Sequence, residues 1–270
     1  MKNRYDLSRV YPFLPIVLLH FTAPAAAADP ANRPDDSLSS FTWFSDEPKH
    51  TQWGLGLGAG YEKSIYKDDN AQFSVVPLVL VENRWFRLRG PAADIKIARW
   101  ESVAFTLRAE YGLGDGYESS DASILKGMDE RKDGLWLGPA MEWETPLVTF
   151  SARYLFAGNK GQKAQLGLER KWDYGEVSLT PHAGVEWLSD KNIDYYYGVR
   201  EHETRAGRST FEGKSTYRLS AGVRVDYDLT AHQTLSVDAG VSHAGSGISD
   251  SPIVDSATLP AIRLAYFYHF

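Results

Sequence analysis

From Trp53 to the last residue, apolar and polar positions alternate with period two, the spacing of a β-strand that has two different faces. In 216–229, Tyr217, Leu219, Ala221, Val223, Val225, Tyr227 and Leu229 share one side. Thr216, Arg218, Ser220, Gly222, Arg224, Asp226 and Asp228 share the other. The same split recurs at Leu235–Val241 against Ser236–Ser242, at Val177–Trp187 against Glu176–Glu186, at Val103–Tyr111 against Thr106–Glu110, and at Val148–Phe156 against Thr149–Arg153. It ends with Ile262, Leu264, Tyr266, Tyr268 and Phe270, where the final aromatic is also the final residue.

Half-buried strands of a soluble sandwich alternate too, but they centre on about 5–6 residues, and these runs are roughly twice that. Aromatic residues recur where the apolar runs end (Trp53, Tyr61, Tyr111, Trp143, Trp172, Trp187, Tyr217, Tyr227, Tyr266), as a girdle at two lipid–water interfaces requires. Charged residues occupy mid-strand positions on the opposite face. In lipid an open sheet leaves edge groups unpaired at several kcal/mol each, so the sheet must close. The predicted fold is all-β: a transmembrane antiparallel up-and-down β-barrel.

Short turns near 82–84, 99–102, 144–147, 173–175 and 229–232 alternate with long polar stretches near 113–131, 188–213 and 243–259, as in bacterial outer-membrane barrels. Counting strands from a periplasmic N-terminus gives twelve. The weakest, 84–90 and 93–99, leave ten if they drop out. The backbone of 260–270 is expected to pair with 53–63 and close the ring.

A positive N-terminus (Lys2, Arg4, Arg9), the apolar "VYPFLPIVLLHFTAP" and "AAAA" at 25–28 read as a signal peptide over 1–28. Residues 29–51 read as a periplasmic tail and 52–270 as the barrel. The chain is thus expected in the outer membrane of a Gram-negative cell. It has no cysteine, which excludes disulfides and an acylated lipoprotein anchor, and its net charge of −6 offers no nucleic-acid surface. No apolar run past the first 30 residues is long enough for a helical span.

"VVPLVLVENRWFRLRG" (75–90), "YYYGV" (195–199), "DSPIV" (250–254) and the aromatic C-terminus resemble, in order and spacing, the MipA/OmpV family. The resemblance implies an outer-membrane barrel that acts as a scaffold linking a lytic murein transglycosylase to a bifunctional penicillin-binding murein synthase. It implies no catalytic residues. The alternative reading is a porin-like channel for small solutes with a narrow charged lumen.

No enzyme, cofactor or metal is expected. His182, with Ser178 and Thr180 nearby, reads as part of a lumen hydrogen-bond network rather than a Ser/His pair at the lipid. His202 between two acids is a weak metal signal, and so is "GDGYESSD" (114–121), which offers Asp115, Glu118 and Asp121 but lacks the glycine and terminal glutamate of a calcium loop. The lumen charges Glu62, Arg108, Glu110, Glu142, Arg153, Glu169, Glu186, Arg218, Arg224, Asp226, Asp238 and Arg263 mix both signs. They are expected to form cross-strand ion pairs, whereas an ion-selective pore concentrates one sign. Gly54, Gly56, Gly58 and Gly60 face inward and are expected to allow sharp coiling, or close approach of lumen side chains or of the tail. Expected partners are outer-membrane lipid and the barrel-assembly machinery, for which Tyr266, Tyr268 and Phe270 are the candidate signal, together with the two murein enzymes. The short turns are too small for an interface of about 800 Å² per partner, so Phe41, Trp43 and Phe44 in the tail are the candidate docking residues.

Overall fold

Each strand finds its partner in the next, and the last finds the first. The computed structural model describes residues 41–44, 48–69 and 71–270; the expected signal peptide (1–28) and residues 29–40 of the tail lie outside the described residues. Fourteen strands form one antiparallel sheet. Two of them are three-residue accessories: β1 (Phe41–Trp43) on β5, and β10 (Trp172–Tyr174) on β11. The other twelve are β2 (Gln52–Lys63), β3 (Ala71–Glu82), β4 (Phe86–Arg89), β5 (Ala92–Trp100), β6 (Val103–Tyr111), β7 (Leu135–Glu144), β8 (Thr149–Phe156), β9 (Gln162–Glu169), β11 (Val177–Leu188), β12 (Thr216–Thr230), β13 (Gln233–Ala244) and β14 (Thr258–His269). β14 pairs with β2 from Ala261 opposite Glu62 to His269 opposite Gly54, so a twelve-stranded barrel closes as the alternation requires. At the seam the Phe270 amide donates to the Trp53 carbonyl (3.0 Å), and the two rings stack 3.8 Å apart.

Outward positions carry the apolar set. Leu55, Leu57, Leu107, Leu166, Leu219, Ile262 and Leu264 are exposed, and Trp53, Tyr61, Tyr111, Trp143, Tyr217, Tyr227 and Tyr266 stand exposed near the strand ends. An exposed apolar belt of this extent is unsuited to water and suited to lipid. One end of the barrel has short turns; the other carries the long connections 112–134, 189–215 and 245–257.

The wall is uneven. β4 has four residues, and its hairpin to β5 turns at Gly90, which sits at φ +53, a left-handed conformation that glycine adopts without a Cβ clash. β3 therefore pairs with β4 only from Leu80 opposite Arg89 to Glu82 opposite Arg87. A register shift between Lys96 and Ala98 then breaks the alternation of β5. Below β4, at the turn end, β1 takes the vacant place beside β5, and Phe44 packs edge-on to Trp85.

The buried apolar core is at the loop end. Ile65, Tyr66, Tyr117, Leu125, Met128, Trp136, Leu155, Ile193, Tyr196, Tyr197, Ile248 and Ile253 belong to one buried cluster built from every long connection. Helix α1 (Asp190–Tyr197), capped by the Ser189 hydroxyl accepting from the Asn192 amide, and the short helix α2 (Ser246–Ser249) belong to this cap.

Candidate functional site

Strand register places opposite charges side by side on neighbouring strands of the lumen wall. Asp94 lies opposite both Arg87 and Arg108, Glu186 opposite Arg218, and Asp238 between Arg224 and Arg263. The side chains complete what the register begins. Arg108 binds Asp94 with two bonds (2.7 and 2.9 Å), and Arg87 joins Asp94 (3.2 Å) to Glu142 (3.4 Å). Glu110 takes Lys163 (2.9 Å) and Arg153 (3.3 Å); Glu186 takes Arg218 (3.3 Å). Arg263 bridges Glu62 (3.3 Å) and Asp238 (3.4 Å), and Asp238 also meets His182 Nε2 at 2.8 Å. Arg224 binds Asp226 (3.1 Å), whose other oxygen accepts from the Ser236 hydroxyl. Glu169 lies on β9 opposite His182. Arg87, Arg89, Asp94, Lys96 and Lys163 belong to this network but were not anticipated.

These pairs line the barrel wall, joining strands that are neighbours or two or three apart. At Gly56 the packing is tight: a Cβ there would meet the Tyr266 carbonyl and come within 2.7 Å of the Phe267 ring, while one at Gly58 would lie 3.2 Å from Leu78 Cδ1. Gly56 and Gly58 of β2 leave the space those two lumen side chains occupy. Between Glu62, Arg153, His182, Glu186, Arg218 and Arg263 a cavity of about 40 Å³ remains, room for about three waters.

Above the lumen, two buried arginines stitch the loops of the cap. Arg131 donates from Nη2 to both oxygens of Glu203 (2.8 and 3.0 Å), from Nε to the Tyr195 carbonyl (2.7 Å) and from Nη1 to the Asp129 carbonyl (2.9 Å). Arg208 donates to the Glu203 carbonyl (2.8 Å from Nε) and to the carbonyls of Ile124 and Lys126. Burial raises the Glu203 pKa; bonds from the Arg200 and Asp129 amides and from Arg131 outweigh that and hold it below the ordinary range. Asp115 accepts from Trp136 Nε1 (2.9 Å) at the base of the cap, where burial pushes its pKa up to about 6.

The histidine and acidic motifs do not assemble a reaction centre. His182 has Asp238 as its hydrogen-bond partner, while the Ser178 hydroxyl donates to Asp173 (2.6 Å). Asp115 turns inward, away from exposed Glu118 and half-buried Asp121, which bond to each other through the Glu118 amide. Asp129, His202 and Glu203 do come together, but Arg200 binds Asp129 at 2.6 Å and Arg131 binds Glu203, so guanidinium groups stand where a cation would. Phe41 and Trp43 are exposed at the turn-end rim, with Phe44 against Trp85.

The family model described as MltA-interacting protein MipA matches residues 55–270. The chain is similar to the putative outer membrane protein YiaT of Escherichia coli K12, 26% identical over 211 residues, 76% of this chain and 85% of that protein. The outer membrane protein Omp26La of Vibrio anguillarum is 28% identical over 236 residues, 81% of this chain and 87% of that protein. The MltA-interacting protein of Escherichia coli K12 is 23% identical over 225 residues, 81% of this chain and 90% of that protein.

Proposed function

The chain belongs to the MipA family of outer-membrane β-barrels, and from that premise we propose that it is a non-conducting, non-enzymatic anchor that holds murein-remodelling enzymes, a lytic transglycosylase and a bifunctional murein synthase, at the periplasmic face of the outer membrane. One observation carries this reading. A buried apolar cap covers the outer end of a lumen whose wall carries paired charges of both signs, which leaves the periplasmic rim as the surface for function. A solute channel needs a continuous wet path and concentrates one sign of charge, whereas the lumen wall here pairs cations with anions beside cavities of about 40 and 20 Å³.

At that rim β1 stands beside the short turns with Phe41 and Trp43 exposed, and the twelve residues 29–40 precede it in the sequence. Two measurements test the proposal. Purified protein in planar bilayers should give no steady conductance steps, and a chain lacking residues 30–40, with β1 kept, should insert normally yet lose capture of both murein enzymes. Steady single-channel current overturns the anchor in favour of a small-solute channel. Unchanged capture overturns the tail as the docking element.

A further inference from the structure

In an antiparallel strand, every second residue turns its N–H and C=O toward the same neighbour. On β3 the Val79 carbonyl accepts the Gly90 amide at 3.1 Å, on the β4 side, and Val81 lies opposite Leu88. Phe73, Val75 and Pro77 therefore turn their main-chain groups to that side as well. β4 stops at Arg89, below their level, and the next strand that rises further is β6, three strand spacings or roughly 14 Å away. Among the described residues no strand pairs with this side of Ala71–Leu78. The wall has a notch on its outer half, bounded above by the Tyr66–Tyr117 ring contact and the Ser123 hydroxyl on Asp68.

Pro77 marks this edge in the sequence. Within a paired strand a proline removes a ladder donor, whereas here the missing N–H falls on the open side. The side chains of Phe73, Val75 and Pro77 are exposed among the lipid-facing set; Phe73 lies opposite the girdle residue Tyr61, and the unpaired groups of Val75 and Pro77 lie deeper, at hydrocarbon depth. Lipid tails cannot satisfy them, and each costs several kcal/mol if left bare. An extended peptide presents the alternating donors and acceptors that such an edge requires.

We propose that the open edge of β3 at Phe73, Val75 and Pro77 receives one β-strand of a partner membrane protein, lying in the outer leaflet with apolar residues at its lipid-facing positions. A second copy of this chain does not fit. A two-fold axis along the membrane normal sends both β3 strands upward, each tilted by roughly 40°, so they cross at about 80° and cannot form a ladder.

The test separates the edge from its occupant. Val75→Pro removes an N–H on the open side and should insert and stay folded, whereas Val76→Pro breaks the ladder to Gly58 of β2 and should misassemble. Failure of Val75→Pro to insert overturns the free edge. In native outer-membrane vesicles the backbone amides of Phe73 and Val75, which face the open side, should exchange at least about tenfold more slowly than after transfer to phospholipid nanodiscs, and Val75→Pro should remove most of that difference at Phe73. A photo-reactive residue at position 73 should join, in the vesicles, a strand of another membrane protein. Equal exchange in the two settings, or cross-links confined to lipid or to another copy of this chain, overturns the proposal.

Discussion

Replacing Arg131 by alanine should open the cap and leave the barrel intact. Arg131 and Glu203 are 1% and 0% exposed, and the arginine ties the 112–134 loop to the 189–215 loop through both Glu203 oxygens and the Tyr195 carbonyl. Arg131→Ala leaves Glu203 charged and buried with only the Asp129 and Arg200 amides as donors. Breaking a buried pair in this way costs about 3–5 kcal/mol. At about 1.4 kcal/mol per factor of ten, the open fraction of the cap should rise on the order of 10²- to 10³-fold. Trypsin cleavage after exposed Lys126 and Lys132, followed in nanodiscs, reads that fraction when closing is faster than cutting. The barrel strands should keep their folded mobility on unheated gels. The double change Arg131→Met with Glu203→Leu removes both charges and should recover most of the loss, since a buried apolar pair carries no desolvation penalty. A cleavage rate within about threefold of the parent for Arg131→Ala would refute the pair as the tie between the loops.

Asp115 should make the cap sensitive to pH. Its folded pKa of about 6 lies above the ordinary 3.8, so the charged form is the disfavoured one: the cap should be weakest above pH 6 and tighten as pH falls toward 4, by up to about 3 kcal/mol. Amide exchange in 112–134, corrected for its intrinsic pH dependence, should show that slope, and Asp115→Asn should flatten it; a slope that survives in the variant locates the titration elsewhere. Deleting Phe270 removes one backbone bond, the stacked pair with Trp53 and the edge contact with Tyr268, worth about 1–4 kcal/mol together, yet the yield of inserted barrel should fall far more than that if the terminal aromatics are also an assembly signal. A normal yield in outer membranes would rule out that role.

The barrel was legible because lipid and lumen impose opposite demands on successive residues, and β2, β11, β12, β13 and β14 obey them over most of their length, apart from the irregularity between Asp228 and Thr230 and apolar lumen residues such as Phe267. The lumen charges on those strands were legible for the same reason. The network around Asp94 was not. β4 is too short to show a period, and the irregularity between Lys96 and Ala98 puts β5 out of phase, so Arg87, Asp94 and Lys96 carry no visible face. The cap was hidden for a different reason. Its buried residues come from connections without regular alternation, and only the fold brings Leu125, Ile193 and Ile253 together. Two of the stretches that carry the family resemblance, "YYYGV" and "DSPIV", supply Tyr196, Tyr197, Val199, Ile253 and Val254 to that core. They mark how the loops pack rather than a chemical centre.

The pairing of β14 with β2 also dictates the order in which this molecule can come into being. Eleven of its strand pairings join neighbours in sequence, and each can form and dissolve locally. The twelfth sets Gly54 against His269, and the loop-closure entropy for a segment of that length is roughly 5 kcal/mol, with no return until the ladder is made. Until then the chain is a curled ribbon with a bare strand on each flank, able to pair with any edge it meets. Closing the ring is thus the slow, decisive step, and a change at the seam alters how fast the barrel forms, whereas a change in one hairpin mainly alters how long it lasts.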